Sequence, residues 1–389
     1  METAGKGNVL LIGQSGVGKT TLIRAILGDD QIEAVEKTDA LRIYENDRIP
    51  FRLIDTIGFE PKHDRRAVAA IQKWSRDSAK KGRTDTKIDL IWFCVDGTSG
   101  RIFEQTIRSV LKSVKMWKGV PIVMVITKSY SVPERENNSK LIQNALFKCK
   151  AGLDVREILP VVAEVYRLDE NAFAPPFGLD RLTEVTNALL PEGIRAGETA
   201  IQRQILLMKR GMAQGLIVSA TGAAVAVGAI PFVNLADAAI LKPMEIGMFN
   251  AIGMIYGMKK NDQLKTFATS LASMGAVTFA AKKILTALSA IPGIGAAAGV
   301  LNAVVAGSIV FSLGEVAAFA FEQIWLGKMD MDDRERLAAL LEEKFSSGFM
   351  QKITEILQGI GDQKDKESIL KTILKVFTKK DPPKGDVSI

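Results

Sequence analysis

Through about residue 192, short apolar runs rich in β-branched residues alternate with stretches of helical period, which predicts a mainly parallel sheet with crossover helices. Strands are predicted at residues 8–13, 40–45, 50–55, 88–96, 121–127 and 158–163, and helices near 20–27, 66–80, 103–116, 134–150 and 179–190. The link Glu45, Asn46, Asp47, Arg48 is short and turn-like, so the second and third strands should form one antiparallel hairpin in an otherwise parallel sheet. Pro191 and Gly193 then punctuate the chain.

From about Gly211 the pattern changes to a dense apolar and small-residue composition. Residues 211–236 and 284–314 carry no charge, runs of 26 and 31 residues that are each long enough to cross a hydrocarbon core. Each run holds an Ile-Pro pair, Ile230-Pro231 and Ile291-Pro292, which should break or kink a helix. Ala229-Ile230-Pro231 recurs as Ala290-Ile291-Pro292, a weak echo of two helix-Pro-helix units. Membrane insertion or docking is one reading of these runs, and a helical hairpin buried in a soluble domain is the other. Beyond Lys328, Leu337, Leu340, Leu341, Phe345, Phe349, Ile353, Ile356 and Leu357 predict two short amphipathic helices. The tail 371–384, with Lys371, Lys375, Lys379, Lys380 and Lys384 against Asp381, reads as a solvated basic end, with anionic lipid as the alternative partner. The organisation expected is 1–192 α/β, 193–328 apolar and helical, and 329–389 amphipathic helices with a basic tail.

The composition narrows the chemistry. At 389 residues with 47% hydrophobic and 24% charged residues the chain is globular rather than disordered, and its mean hydropathy of +0.12 reflects the apolar half. Cys94 and Cys149 exclude a disulfide framework, and with His63 as the only histidine they cannot build a Cys/His zinc site. The same scarcity argues against a Ser-His-Asp or Cys-His hydrolase. A net charge of +7 suits an anionic partner: phosphate, nucleic acid or lipid headgroup. The polar start of the chain lacks a secretory pattern, so a cytosolic start is expected.

Residues 13–20, Gly-Gln-Ser-Gly-Val-Gly-Lys-Thr, fit G-x-x-x-x-G-K-[ST] between a predicted strand and a predicted helix. In that context Gly13, Ser15, Gly16, Val17 and Gly18 turn backbone N–H groups toward a phosphate, and Lys19 neutralises the outer phosphates. Thr20 would hold magnesium, with Thr21 beside it at the helix start. Asp55, ending the third strand in Asp55-Thr56-Ile57-Gly58, can reach that magnesium through water, and the Gly58 N–H can meet a γ-phosphate. Thr38 lies in a polar loop 18 residues after Thr20, a spacing suited to a switch threonine that senses both.

With the P-loop, Thr38, the Asp55 segment, the strand 88–97 and Thr127-Lys128, residues 7–192 resemble the Era-like and immunity-related P-loop GTPases. The resemblance implies GTP/GDP and Mg2+ as ligands, Lys19, Thr38 and Gly58 in catalysis, Thr20, Thr38 and Asp55 at the metal, and Thr127, Lys128 and Ala163 at the base. It also implies switch loops that order around the γ-phosphate, and homodimerisation through this domain as one route to activation. Two positions depart from the family. Tyr130 stands where the guanine-reading carboxylate belongs, with Glu134 as a nearby acid that could substitute, and Phe59 stands where Ras-type members carry the water-positioning glutamine. Slow intrinsic hydrolysis follows, with His63 and Asp64 the nearest polar candidates. Gly16 lacks the asparagine of potassium-activated relatives, which disfavours a potassium requirement. Residues 205–328 resemble a membrane-linked helical domain that recurs in bacterial Era-like GTPases, so membrane lipid is an expected partner. The function expected is a slow GTPase switch coupled to that domain; a nucleotide-binding scaffold with negligible turnover, a dynamin-like remodelling enzyme and a ribosome- or RNA-associated GTPase stay open. Nucleic acid is the weakest partner, for want of an aromatic-interleaved basic motif.

Overall fold

In the computed structural model of the chain, residues 5–28, 32–37, 41–56, 69–74, 76–77, 86–98, 117, 119–148, 153–168, 173–230, 241–259, 261–274, 298–345, 347–360 and 365–379 are described. The chain divides into two compact units, the first comprising residues 1–166 and 176–212 and the second 167–175 and 213–389.

The first unit is built on a seven-stranded sheet. Its strands are β1 (Gly7–Ile12), β2 (Glu36–Lys37), β3 (Leu41–Tyr44), β4 (Phe51–Thr56), β5 (Leu90–Asp96), β6 (Ile122–Thr127) and β7 (Val155–Pro160), in the order β2-β3-β4-β1-β5-β6-β7. β4, β1, β5, β6 and β7 are mutually parallel, while β3 pairs antiparallel with β4 as the short 45–48 link predicts. The central strands are apolar on both faces, as a sheet covered on both sides requires. Val9, Leu11, Trp92 and Cys94 face one cluster, which includes Leu22, Ile23 and Ile26 of α1 (Lys19–Leu27) and Leu179, Leu182 and Val185 of the helix Leu179–Leu189. Leu10, Ile12, Phe93 and Val95 face the other, with Ile142 and Ala145 of α2 (Val132–Lys148). The helix Leu179–Leu189 is α3 below.

The large sheet has one strand more than the periodicity predicts, because β2 is two residues long, too short to show an alternation. The last strand runs 155–160 rather than 158–163, so Val161, Val162 and Ala163 lie beyond its end. Residues 69–74 are helical within the predicted 66–80; the predicted helix at 103–116 lies outside the described residues.

α4 (Glu198–Gly228) carries residues of both units, and the short strands β8 (Tyr166–Arg167) and β9 (Phe173–Ala174) lie outside the large sheet. The second unit contains α5 (Lys242–Ile255), α6 (Asp262–Ser273), α7 (Ala298–Trp325), α8 (Arg334–Lys344), α9 (Ser347–Ile360) and α10 (Lys366–Thr378). α7 is its axis, packing against α5, α8, α9 and α10. Glycines on α7 allow close approach: a Cβ on Gly307 would meet Val225 Cγ2 at 2.6 Å and Ile373 Cδ1 at 2.7 Å, and one on Gly314 would meet Ile217 Cγ1 at 2.7 Å.

Two helices among the described residues, Glu198–Gly228 and Gly299–Trp325, are long and apolar enough to cross a membrane, but they differ in cover. The most apolar window of α4 is 50% buried and that of α7 is 89% buried within the protein itself. The basic tail is corrected in part. Residues 366–378 form α10, whose Ile369, Ile373 and Val376 are buried, while Lys371 pairs with Glu367 and Lys379 with Glu355. Lysines every fourth residue mask an apolar stripe on the opposite side of the same helix.

Candidate nucleotide-binding site

The strand order reverses at β1, whose neighbours are β4 and β5, and a crevice outside the carboxyl ends of strands at such a switch point is where open α/β sheets bind ligands. Residues 13–18 span from the end of β1 to the start of α1 there. Gly16 and Gly18 have φ of +77° and +96°, a conformation that side chains resist. Gly13 is required for another reason: a Cβ would lie 2.6 Å from the Cys94 carbonyl oxygen. The loop wraps the Lys19 ammonium, which donates to the Gly13 carbonyl at 3.0 Å and the Gln14 carbonyl at 3.2 Å and is 7% exposed. Ser15 is exposed, Val17 is buried, and Thr20 and Thr21 are half-buried in the first turn of α1.

Thr20 Oγ1 lies 3.5 Å from Asp55 Oδ2. Asp55 is 4% exposed, and its other oxygen, Oδ1, is buried without a hydrogen-bond partner among the described residues. Burial raises the Asp55 pKa, against the attraction of Lys19 and Arg42, which hold it down. Arg42 sits directly opposite Asp55 in the β3–β4 register, and its Nε is likewise buried without a hydrogen-bond partner among the described residues. An orphaned carboxylate oxygen beside a hydroxyl fits a hard, oxygen-seeking cation. Mg2+ is such a cation, and it takes few protein ligands beside substrate phosphates. Thr20 and Asp55 would hold it. Thr38, Gly58, Phe59, His63 and Asp64 lie outside the described residues.

The loop after β6 is tied to the phosphate loop. Thr127 Oγ1 donates to the Val17 carbonyl at 2.6 Å, and Lys128, with φ +52°, donates from Nζ to the Gly16 carbonyl at 2.9 Å and to Asp96 Oδ2 at 2.7 Å. Partial burial works to raise the Asp96 pKa, but the hydrogen bonds from Lys128 and Thr98 outweigh it and the net shift is downward. Arg135 Nε donates to the Ser129 carbonyl at 2.8 Å and Asn138 Nδ2 to the Gly97 carbonyl at 2.9 Å, so α2 buttresses both this loop and the turn that follows β5. The Tyr130 ring stacks on Tyr166, with centroids 4.1 Å apart and an interplanar angle of 17°. Burial, then the carboxylates of Glu164 and Asp96 and the Tyr166 phenol, push the Tyr130 hydroxyl pKa up, so it is neutral at physiological pH. Ala163 is half-buried against the core after β7; Glu134 is exposed in the first turn of α2.

The fold thus brings together Gly13, Ser15, Gly16, Val17, Gly18, Lys19, Thr20, Thr21 and Asp55, and joins Thr127 and Lys128 to them by hydrogen bonds. Asp96, Arg42 and Tyr166 were not singled out from the sequence. Asp96 ends a strand already recognised, which is a usable signal; Arg42 and Tyr166 matter only through strand register and stacking, which leave none.

Residues 8–128 match the family described as 50S ribosome-binding GTPase. Among curated proteins, GTPase Era of Actinobacillus pleuropneumoniae serotype 5b (strain L20) is 28% identical over 163 residues, covering 41% of this chain and 49% of the relative. GTPase Era of Geotalea daltonii is 30% identical over 194 residues, covering 48% of this chain and 56% of the relative. The chain therefore spans about half the length of the curated relatives it matches. Among solved structures, the cytosolic domain of the T. maritima FeoB iron transporter in its GMPPNP form aligns at 14% identity and a TM-score of 0.26, over 90% of this chain and 98% of that one; at that score the likeness carries no argument. By the family match over residues 8–128, the α/β unit carries the fold of a P-loop GTPase domain, similar to the GTPase domain of the Era relatives.

Proposed function

We propose that the chain is a magnesium-dependent GTPase switch with slow intrinsic turnover, in which the state of the nucleotide governs membrane docking by the helical unit. The observation that carries the nucleotide half is the buried Lys19 ammonium wrapped by residues 13–18, next to the Thr20 hydroxyl and the orphaned Asp55 oxygen. In this reading Lys19 and the loop amides take the phosphates, Thr20 and Asp55 hold the metal with Thr38, Gly58 N–H meets the γ-phosphate, and Thr127, Lys128 and Ala163 line the base. Bound Mg2+ would supply charge neutralisation between the phosphates. Phe59 has no group that can orient water, so turnover is slow until lipid, dimerisation through this domain or a partner supplies one.

The membrane half rests on α4, whose apolar window is half uncovered within the protein, together with the net positive charge. α7 supports it less, because its apolar surface is already satisfied inside the bundle. A scaffold with negligible turnover is the second reading, favoured by Phe59 and Tyr130.

The test is GTP and ATP affinity and phosphate release by the full chain, with and without anionic liposomes. GTP-selective binding with release above buffer, increased by lipid, is the expected result. Binding without release under any condition would leave the scaffold standing in its place.

A further inference from the structure

The two segments at the base end of the site are held to the phosphate loop and to each other. Lys128 Nζ binds the Gly16 carbonyl, Thr127 Oγ1 binds the Val17 carbonyl, and the Ser129 amide donates to the Val161 carbonyl at 3.2 Å. Tyr130 and Tyr166 then clip the segments together by their stack. These segments offer the edge of a purine a small set of groups. The Val162 amide is spent on the Phe177 carbonyl at 3.0 Å, whereas the next amide, of Ala163, makes no hydrogen bond among the described residues. At position 130 the group is a neutral phenol on a ring fixed by stacking.

Guanine presents a 6-oxo acceptor flanked by two donors, N1–H and the 2-amino group. A carboxylate accepts from both donors at once, one on each oxygen and with charge assistance; a neutral phenol has a single oxygen and no charge to do so. The Ala163 amide, unpartnered among the described residues, is a donor, and so suits a 6-oxo group and opposes the 6-amino group of adenine. We infer that this site selects purine nucleotides by the 6-oxo group and the ring face, and does not read the 2-amino group, so that inosine and guanosine nucleotides are equivalent ligands. The inference rests on the nucleotide site proposed above. Glu164 stands near Tyr130, but it is exposed, and solvent screens an exposed carboxylate.

The experiment is equilibrium competition of GTP, ITP and ATP against a fluorescent guanine nucleotide on the full chain with Mg2+, for the native protein and for Tyr130→Asp. Affinities for GTP and ITP within about threefold of each other, with ATP about tenfold weaker or more, are expected, since two donors facing each other leave both unpaired. Tyr130→Asp should open a preference for GTP over ITP of about tenfold or more, by adding a charged acceptor. A native preference for GTP over ITP of about tenfold would overturn the inference and point to a carboxylate such as Glu164 as the reader. Equal affinity for ATP would overturn it by removing the 6-oxo contact. If Tyr130→Asp does not fold, the native ratios decide alone. Failure of all three nucleotides to compete would remove the nucleotide site itself, an outcome distinct from a changed ratio.

Discussion

Lys19 is an ammonium held by two backbone carbonyls, those of Gly13 and Gln14, with no carboxylate hydrogen-bonded to it among the described residues. Such a group is poised to exchange weak backbone partners for phosphate oxygens, which bind a cation far more strongly. Lys19→Ala should therefore weaken nucleotide binding by about 100-fold or more, while the melting temperature shifts by no more than about 3 °C. Titration of a fluorescent nucleotide together with a thermal melt checks both, and full retained affinity would refute the phosphate-loop assignment. Asp55 makes a different prediction. Its Oδ1 is buried and unpartnered among the described residues, which in the proposed reading gives it to the metal. Asp55→Asn keeps the shape and removes the charge, and should abolish the difference in GTP affinity between Mg2+ and EDTA buffers. A variant whose affinity still responds fully to Mg2+ would rule Asp55 out.

At the scale of elements, the helical unit depends on small residues where helices meet. Gly314 on α7 abuts Ile217 of α4, and Met248 Sδ of α5 would lie 3.2 Å from an added Cβ. Gly314→Val should destabilise this unit by about 1–3 kcal/mol through overpacking, read as a lowered urea midpoint. A second element-level prediction concerns α5. Glu245 is 1% exposed, its Oε1 has no hydrogen-bond partner among the described residues, and burial pushes its pKa from the ordinary 4.5 up to about 8 despite the pull of Lys242. A folded state that holds the proton more tightly than the unfolded chain is most stable where both are protonated, below about pH 4.5. Stability of the helical unit should fall as pH rises from 4.5 to about 8, with the loss complete above that. Urea unfolding across this range should show the decline in the native chain, and a flatter profile in Glu245→Gln. A slope unchanged by that substitution would assign the effect to another group.

For the whole molecule, the net charge of +7 and the half-covered window of α4 predict docking that needs anionic lipid. Sedimentation with vesicles containing phosphatidylserine should exceed that with phosphatidylcholine alone and fall as salt rises past about 0.15 M, where the screening length drops to about 8 Å. A non-hydrolysable GTP analogue should change the bound fraction relative to GDP; identical binding would break the proposed coupling. How much of this was legible follows from the range of the forces involved. Strand-rich runs, the 45–48 hairpin, residues 13–20 and Asp55 are written in local periodicity and spacing, because backbone propensity and phosphate binding act over a few consecutive residues. α10 was hidden because its apolar stripe shares 13 residues with a row of lysines, and burial depends on α7 and α9 being there to cover it. The two uncharged runs looked equivalent in the sequence, and only packing showed that α7 is the axis of a bundle while α4 is half uncovered. The sequence by itself determined the sheet, the phosphate loop and the absence of a carboxylate at position 130. Tertiary structure alone decided that Asp55 faces Arg42, that Tyr130 stacks on Tyr166 and that Lys128 spans Gly16 and Asp96, because such contacts join residues 13 to 112 positions apart, whose meeting no local pattern records.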